Sequence, residues 1–159
     1  MALVEADCDR LGYLVVRIAE EVDRRHSAVL VELELRPREL RTLVLVDRHP
    51  GLSQRALAAK LAMDPGNLVA LLDGMDARGL LVRARDPADR RRSTLRLTRA
   101  GERLLARASD ATQAVEDAVF GVLSDAERAA FGRAVLRVFA GSNPGAVPPG
   151  VLEPGSAPA

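Results

Sequence analysis

The chain has 159 residues, 48% apolar but only 3% aromatic, with 23 basic and 22 acidic side chains and a net charge of +1. That size fits one domain, or one core with a tail, whose Leu, Val and Ala favour close helix packing over a sheet sandwich. A single cysteine, Cys8, excludes an intrachain disulfide, and no run is apolar enough to span a bilayer or read as a leader, so a soluble cytoplasmic protein is expected.

Leu11, Leu14, Val15, Ile18, Val22, Val29 and Leu33 recur at helical spacing and predict a long amphipathic helix over about 7–33. Pro37 suits the first turn of a second helix over roughly 37–48, which His49-Pro50-Gly51 ends. Ser53 is placed to cap a short helix to about Leu61. Asp64-Pro65 then opens another, with Leu68, Leu71, Leu72 and Met75 on one face and an end near Gly79. A short helix, a tight turn and a second helix with an open outer face form a helix-turn-helix.

Val82-Arg83-Ala84-Arg85 alternates apolar and basic, and Thr94-Leu95-Arg96-Leu97-Thr98 alternates again. Period-two patterning on both sides of Asp86-Pro87 predicts a two-stranded ribbon over about 80–97, with Arg90, Arg91 and Arg92 at its tip. Stacked positive charge at such a tip fits the narrow, negative minor groove of duplex DNA. Charge distribution agrees: between Leu80 and Arg103 stand eight arginines and three acids, a surplus of five (eight less three) in a chain whose net is +1. Thr98 caps a long helix to about Leu123, Ser124-Asp125-Ala126-Glu127 is a capping box for a last helix to about Ala140, and a Pro, Gly, Ala and Ser tail follows that is too poor in apolar bulk to order itself.

This ordered set resembles the MarR family of winged-helix transcription regulators, from about residue 10 to residue 140. The residues that carry the resemblance are Asp89-x-Arg91 followed by Leu97-Thr98, Met75-Asp76-Ala77-Arg78-Gly79-Leu80, and Leu52-Ser53-Gln54 with Leu57-Ala58. The resemblance implies a mainly α fold: a winged helix-turn-helix with a two-stranded β wing and an intertwined helical dimerisation region. It divides the chain into an N-terminal dimerisation helix (1–36), a DNA-binding lobe (37–99), C-terminal dimerisation helices (100–141) and a disordered tail (142–159). The apolar stripes of the first and last helices exceed what so small a domain can cover, which agrees with a homodimer.

The implied partner is double-stranded DNA, bound at a pseudo-palindrome with half-sites about one helical turn (~34 Å) apart. Pro65, Gly66, Asn67, Val69 and Ala70 would enter the major groove. Many relatives carry Ser and Arg where Val69 and Ala70 stand, so base readout from mid-helix is reduced. Asn67 has two readings: a bidentate contact to adenine, worth ~1–3 kcal/mol, or a local bond to the Asp64 cap. Ser53, Gln54 and Arg55 lie where a helix N-terminus favours phosphate, and Arg83 on the first wing strand joins them. By resemblance Arg91 inserts in the minor groove, Asp89 rigidifies the tip, and Arg90 and Arg92 track phosphates.

The family also implies a phenolic or other apolar small-molecule effector, bound between the dimer helices and the DNA-binding lobe. Tyr13, His26 and Arg41 are its polar candidates by position. Cys8 is flanked by Asp7 and Asp9, which oppose thiolate formation and argue against a redox sensor. One cysteine and two separated histidines give no metal-ligand cluster. There is no Gly-rich phosphate loop or nucleophile–base pairing, so neither an enzyme nor a cofactor is expected. The rival reading is a winged-helix protein-interaction or dimerisation adaptor, which a donor-poor recognition helix would suit and an arginine-tipped wing would not.

Overall fold

The computed structural model describes residues 10–85 and 93–142. In chain order these form α1 (Leu11–Glu32), α2 (Pro37–Arg48), α3 (Gln54–Leu61), α4 (Pro65–Ala77), β1 (Leu81–Arg85), β2 (Ser93–Leu97), α5 (Arg99–Phe120) and α6 (Asp125–Ser142). The mainly helical winged helix-turn-helix read from the sequence is the fold observed. The described residues divide into two compact units, one up to Glu116 and one from Asp117.

In the first unit, α1 begins at Leu11, later than the predicted start near residue 7. Arg10 has extended backbone and no capping side-chain bond, and the apolar stripe itself begins only at Leu11. The helix ends in a Schellman turn: Leu35 N–H donates to Leu30 O (2.9 Å) and Glu34 N–H to Val31 O (3.0 Å). Glu34 sits there in the left-handed region, with φ of 51°. Leu30 and Leu35, which bracket the turn, are both buried.

One core joins these elements. Leu43 and Val46 of α2, Leu57 and Leu61 of α3, and Leu68, Leu72 and Met75 of α4 meet Leu81 and Leu95 of the wing and Ala108 of α5. Ser53 Oγ accepts Ala56 N–H (3.2 Å), the predicted cap of α3. The same segment extends the sheet, because Leu95 N–H donates to Leu52 O (3.1 Å) and Ser53 bridges Thr94. Asp64 Oδ1 accepts Asn67 N–H (3.0 Å) and caps α4, as Asp64-Pro65 predicts. Gly79, with φ of 66°, turns the chain from α4 into β1.

The base of the wing is stapled to α5. Thr98 N–H donates to Leu80 O (3.1 Å), and the Thr98 hydroxyl donates to Gly79 O (2.6 Å) while accepting Gly101 N–H (3.1 Å). A Cβ on Gly101 would stand 2.0 Å from Leu80 O, so only glycine permits this approach.

The strands pair antiparallel, Leu81 opposite Leu97, Arg83 opposite Leu95 and Arg85 opposite Ser93. Leu81, Arg83, Leu95 and Leu97 therefore share one face, and Val82, Ala84, Thr94 and Arg96 the other. The alternation in β2 reads as expected, with Leu95 buried and Arg96 exposed. In β1 the outward phase holds the apolar residues of Val82-Arg83-Ala84-Arg85: Val82 is 43% exposed and Arg83 lies on the leucine face. The reason is a charge partner on α4, described below.

In the second unit, α5 ends at Phe120 rather than near Leu123, and Leu123 N–H closes a turn on Phe120 O (3.0 Å). The predicted capping box forms: Ser124 N–H donates to Glu127 Oε2 (2.9 Å) and Glu127 N–H to Ser124 Oγ (3.4 Å). Arg128 donates to Asp117 (2.9 Å), and the rings of Phe120 and Phe131 pack with centroids 5.9 Å apart. No described helix is long and apolar enough to cross a membrane.

Candidate nucleic-acid interface

The outer face of α4 consists mostly of small side chains, with Val69 its one exposed large hydrophobic, because the inner face holds the leucines and the methionine. Leu68, Leu72 and Met75 point into the core. Pro65, Gly66, Asn67, Val69, Ala70, Asp73, Gly74 and Ala77 are all exposed. Such a surface lets a helix backbone approach a groove floor closely, and it offers few donors. Asn67 is the amide among them, and in this state it is engaged. Its Nδ2 donates to Asp64 Oδ2 while its backbone N–H bonds Asp64 Oδ1. Those bonds, the backbone one first, hold the Asp64 carboxyl below its ordinary pKa. Of the two readings for Asn67, the structure contains the local one.

Arg83 is committed to α4. Its Nη2 lies 2.5 Å from Asp73 Oδ1 and its Nη1 3.9 Å from Asp76 Oδ2. This pairing explains why an arginine occupies the leucine face of β1: the guanidinium reaches past the core to two carboxylates spaced i, i+3 on one side of α4. Nothing in the local sequence pattern links Asp73 to Arg83. The non-local pairing of two helix aspartates with a strand arginine was the available signal. Arg96, also outside the predicted set, is exposed on the outer face of β2 opposite Val82.

At the start of α3, Ser53 is spent on its capping bond, Gln54 is half-buried and Arg55 is exposed. The predicted wing-tip residues Asp89, Arg90, Arg91 and Arg92 lie outside the described residues, as does Cys8. Among the described residues no group of three or more His, Cys, Asp or Glu side chains is arranged to hold a metal.

Neither of the two clefts described below is lined by Tyr13, His26 or Arg41. Arg41 Nη2 donates to Lys60 O at the end of α3 (3.2 Å). Tyr13 is half-buried on α1. The Nε2 atom of His26, also on α1, is buried without a hydrogen-bond partner among the described residues. One cleft of about 310 Å³ is lined by residues that include His49, Leu52, Ser53, Lys60 and Thr94. Another, of about 330 Å³, lies between α2 and α5 against Val44, Asp47, Arg48, Glu102 and Leu105.

The sequence pattern of the MarR family matches residues 33–92, which take in α2, α3, α4 and β1. Over the full fold, the chain superposes with a TM-score of 0.70 on the transcriptional repressor CouR bound to a 23-mer DNA duplex, at 31% identity, covering 87% of this chain and 98% of that one. The chain belongs to the MarR family. CouR from Rhodococcus jostii RHA1 bound to p-coumaroyl-CoA gives the same TM-score of 0.70 at 30% identity, covering 90% of this chain and 99% of that one. Among curated relatives, a putative transcriptional regulatory protein for the hcr operon of Thauera aromatica is 38% identical over 86 residues, 54% of this chain. The transcriptional regulator HosA of Escherichia coli O111:H- is 36% identical over 89 residues, 56% of this chain. The chain spans 52% of the Thauera protein and 66% of HosA. Within the MarR fold, the Arg83–Asp73 ion pair ties the first wing strand to the small-faced α4.

Proposed function

We propose that this MarR-family chain is a cytoplasmic transcription regulator, by family default a repressor, that binds a pseudo-palindromic operator as a homodimer and has no catalytic activity. The observation that carries this reading is the exposed, small-faced α4 flanked by an arginine-bearing wing, on a fold that superposes over nearly all of DNA-bound CouR. α4 would settle in the major groove through Pro65, Gly66, Asn67, Val69 and Ala70. Ser53, Gln54 and Arg55 would face phosphate, and Arg90, Arg91 and Arg92, steadied by Asp89, would reach the minor groove or its rim.

Dimerisation is supported by apolar surface left open on the terminal helices. Leu11, Leu14, Val15 and Ile18 are exposed on α1. α6 has no buried residue and exposes Val135, Leu136 and Val138. Patches of this kind mark association surfaces. Release would be triggered by a small aromatic acid or its thioester. The support is CouR, which binds p-coumaroyl-CoA. Tyr13, His26 and Arg41 remain the proposed polar contacts, and the unpartnered His26 Nε2 is the one that most needs a bonding group.

The test is fluorescence anisotropy with a duplex selected from random sequence by the protein, against a scrambled duplex, at two salt concentrations. Tight, salt-weakened binding to the selected duplex is expected. Equal and negligible binding to both would favour the adaptor reading, which draws on the acidic, donor-poor side of α4.

A further inference from the structure

Among the described residues, Arg78 makes a long-range polar connection that neither the DNA surface nor the core requires. Arg78 is the C-cap residue of α4. Its Nη1 donates to both carboxylate oxygens of Glu39 at 3.2 Å, and its Nη2 donates to the backbone carbonyl of Glu34 at 2.7 Å. Glu39, in the first turn of α2, is only 7% exposed and also accepts Arg36 N–H at 2.8 Å. Glu34 is the left-handed residue that ends α1. A single guanidinium thus ties the end of the recognition helix to the turn joining α1 and α2.

The fork geometry suits this role. An arginine can address a carboxylate and a carbonyl at once in fixed directions, which a lysine point charge cannot. The buried carboxylate has no second cation among the contacts described, so the pair holds its geometry or leaves a charge unmatched. The opposite end of α4 is closed by its own Asp64 cap, leaving Arg78 as a tie to α1. On the proposed reading, α1 belongs to the dimer interface, and the angle of α4 relative to α1 sets the distance between the two recognition helices.

We infer that Arg78, with Glu39, is a positioning residue for operator recognition: it fixes the half-site spacing that the dimer accepts. This rests on the DNA-binding reading above. The measurement is the ratio of affinities for two duplexes, the operator selected by the wild-type protein and the same duplex with one base pair inserted between its half-sites. The insertion displaces one half-site by ~3.4 Å along the axis and rotates it. Wild type should discriminate strongly. Arg78→Gln and Glu39→Gln should bind the selected operator more weakly and shrink the ratio by about fivefold or more. Arg78→Lys, which keeps the charge and loses the fork, should also shrink it, and it carries the test if Arg78→Gln does not fold.

A merely structural role lowers the fraction of competent protein, which weakens both duplexes alike. An unchanged ratio in the folded variants would therefore overturn the inference while leaving DNA binding intact. No duplex binding by wild type would overturn both. A second readout needs no DNA: nitroxide labels at Asp47→Cys and Ala70→Cys in a Cys8→Ser background. Arg78→Gln should broaden their distance distribution, and an identical distribution would count against the clamp.

Discussion

Asp73 and Arg83 show how one ion pair can matter to function more than to stability. Both side chains are partly exposed, and such pairs contribute about 0–1 kcal/mol to folding. Yet Asp73 stands on the face offered to DNA and occupies a guanidinium that a phosphate could use. Asp73→Asn should leave stability nearly unchanged, tighten duplex binding at low salt and steepen the log–log salt slope by ~0.9. Weaker binding at an unchanged slope would contradict this and assign the pair to orienting the wing. Gly101 is decided by sterics. Its Cβ position is occupied by Leu80 O, so Gly101→Ala must push α5 off the wing base. A loss of about 1–3 kcal/mol is expected, typical of overpacking, and urea unfolding would measure it. Neither residue's role could be read from local pattern. Gly101 looks like an ordinary helix residue, and the orientation of Arg83 depends on a carboxylate ten positions earlier.

Elements were more legible than contacts because their signals are local. Ser53, Asp64, Thr98 and Ser124 each cap the helix that follows them, since a cap needs only a side chain and an N–H within one turn. The facing of β1 is not legible, because Val82-Arg83-Ala84-Arg85 shows alternation without saying which phase is inward; non-local contacts, the buried Leu81 and the Asp73 pair with Arg83, decide it. The end of α3 at Leu61 is legible in the sequence, but the left-handed backbone of its C-cap is not. Ala62 sits left-handed there, with φ of 49°, a conformation that costs an L-residue roughly 1–2 kcal/mol and glycine none. Ala62→Gly should therefore raise stability, by about 0.5–1 kcal/mol after the entropy gained by the unfolded chain; a lower urea midpoint would contradict it. The caps also set a pH dependence. Hydrogen bonds from Ser124 hold Glu127 below its ordinary range, and those from Asn67 do the same for Asp64. Side-chain bonds from Arg24 and Arg25 bring Glu21 down from 4.5 to about 2. Folded-state values below the unfolded ones mean stability that is complete above the unfolded pKa and lost as pH falls toward the folded pKa. Thermal midpoints should fall progressively below about pH 4.5, and Glu21→Gln, Asp64→Asn and Glu127→Gln together should flatten that fall.

For the whole molecule, the sequence was enough to recognise a winged helix-turn-helix, because helical periodicity, caps and the alternating ribbon all point to one architecture. It also indicated surplus apolar surface on the terminal helices, which the exposed side chains of α1 and α6 bear out. Tertiary ties such as Arg78 to Glu39, separated by 39 residues, were invisible because charge complementarity at that distance has no periodic signature. The wing tip should still supply much of the electrostatic grip. Arg90→Ala and Arg91→Ala should each reduce the salt slope by ~0.9 if each neutralises a phosphate. The most direct measurement is analytical ultracentrifugation of the protein with a fluorescent duplex carrying its selected operator, repeated at low and high salt. A homodimer straddling two half-sites predicts two chains per duplex at low salt and dissociation at high salt. A single chain per duplex, or sedimentation of protein and duplex apart at low salt, would contradict it.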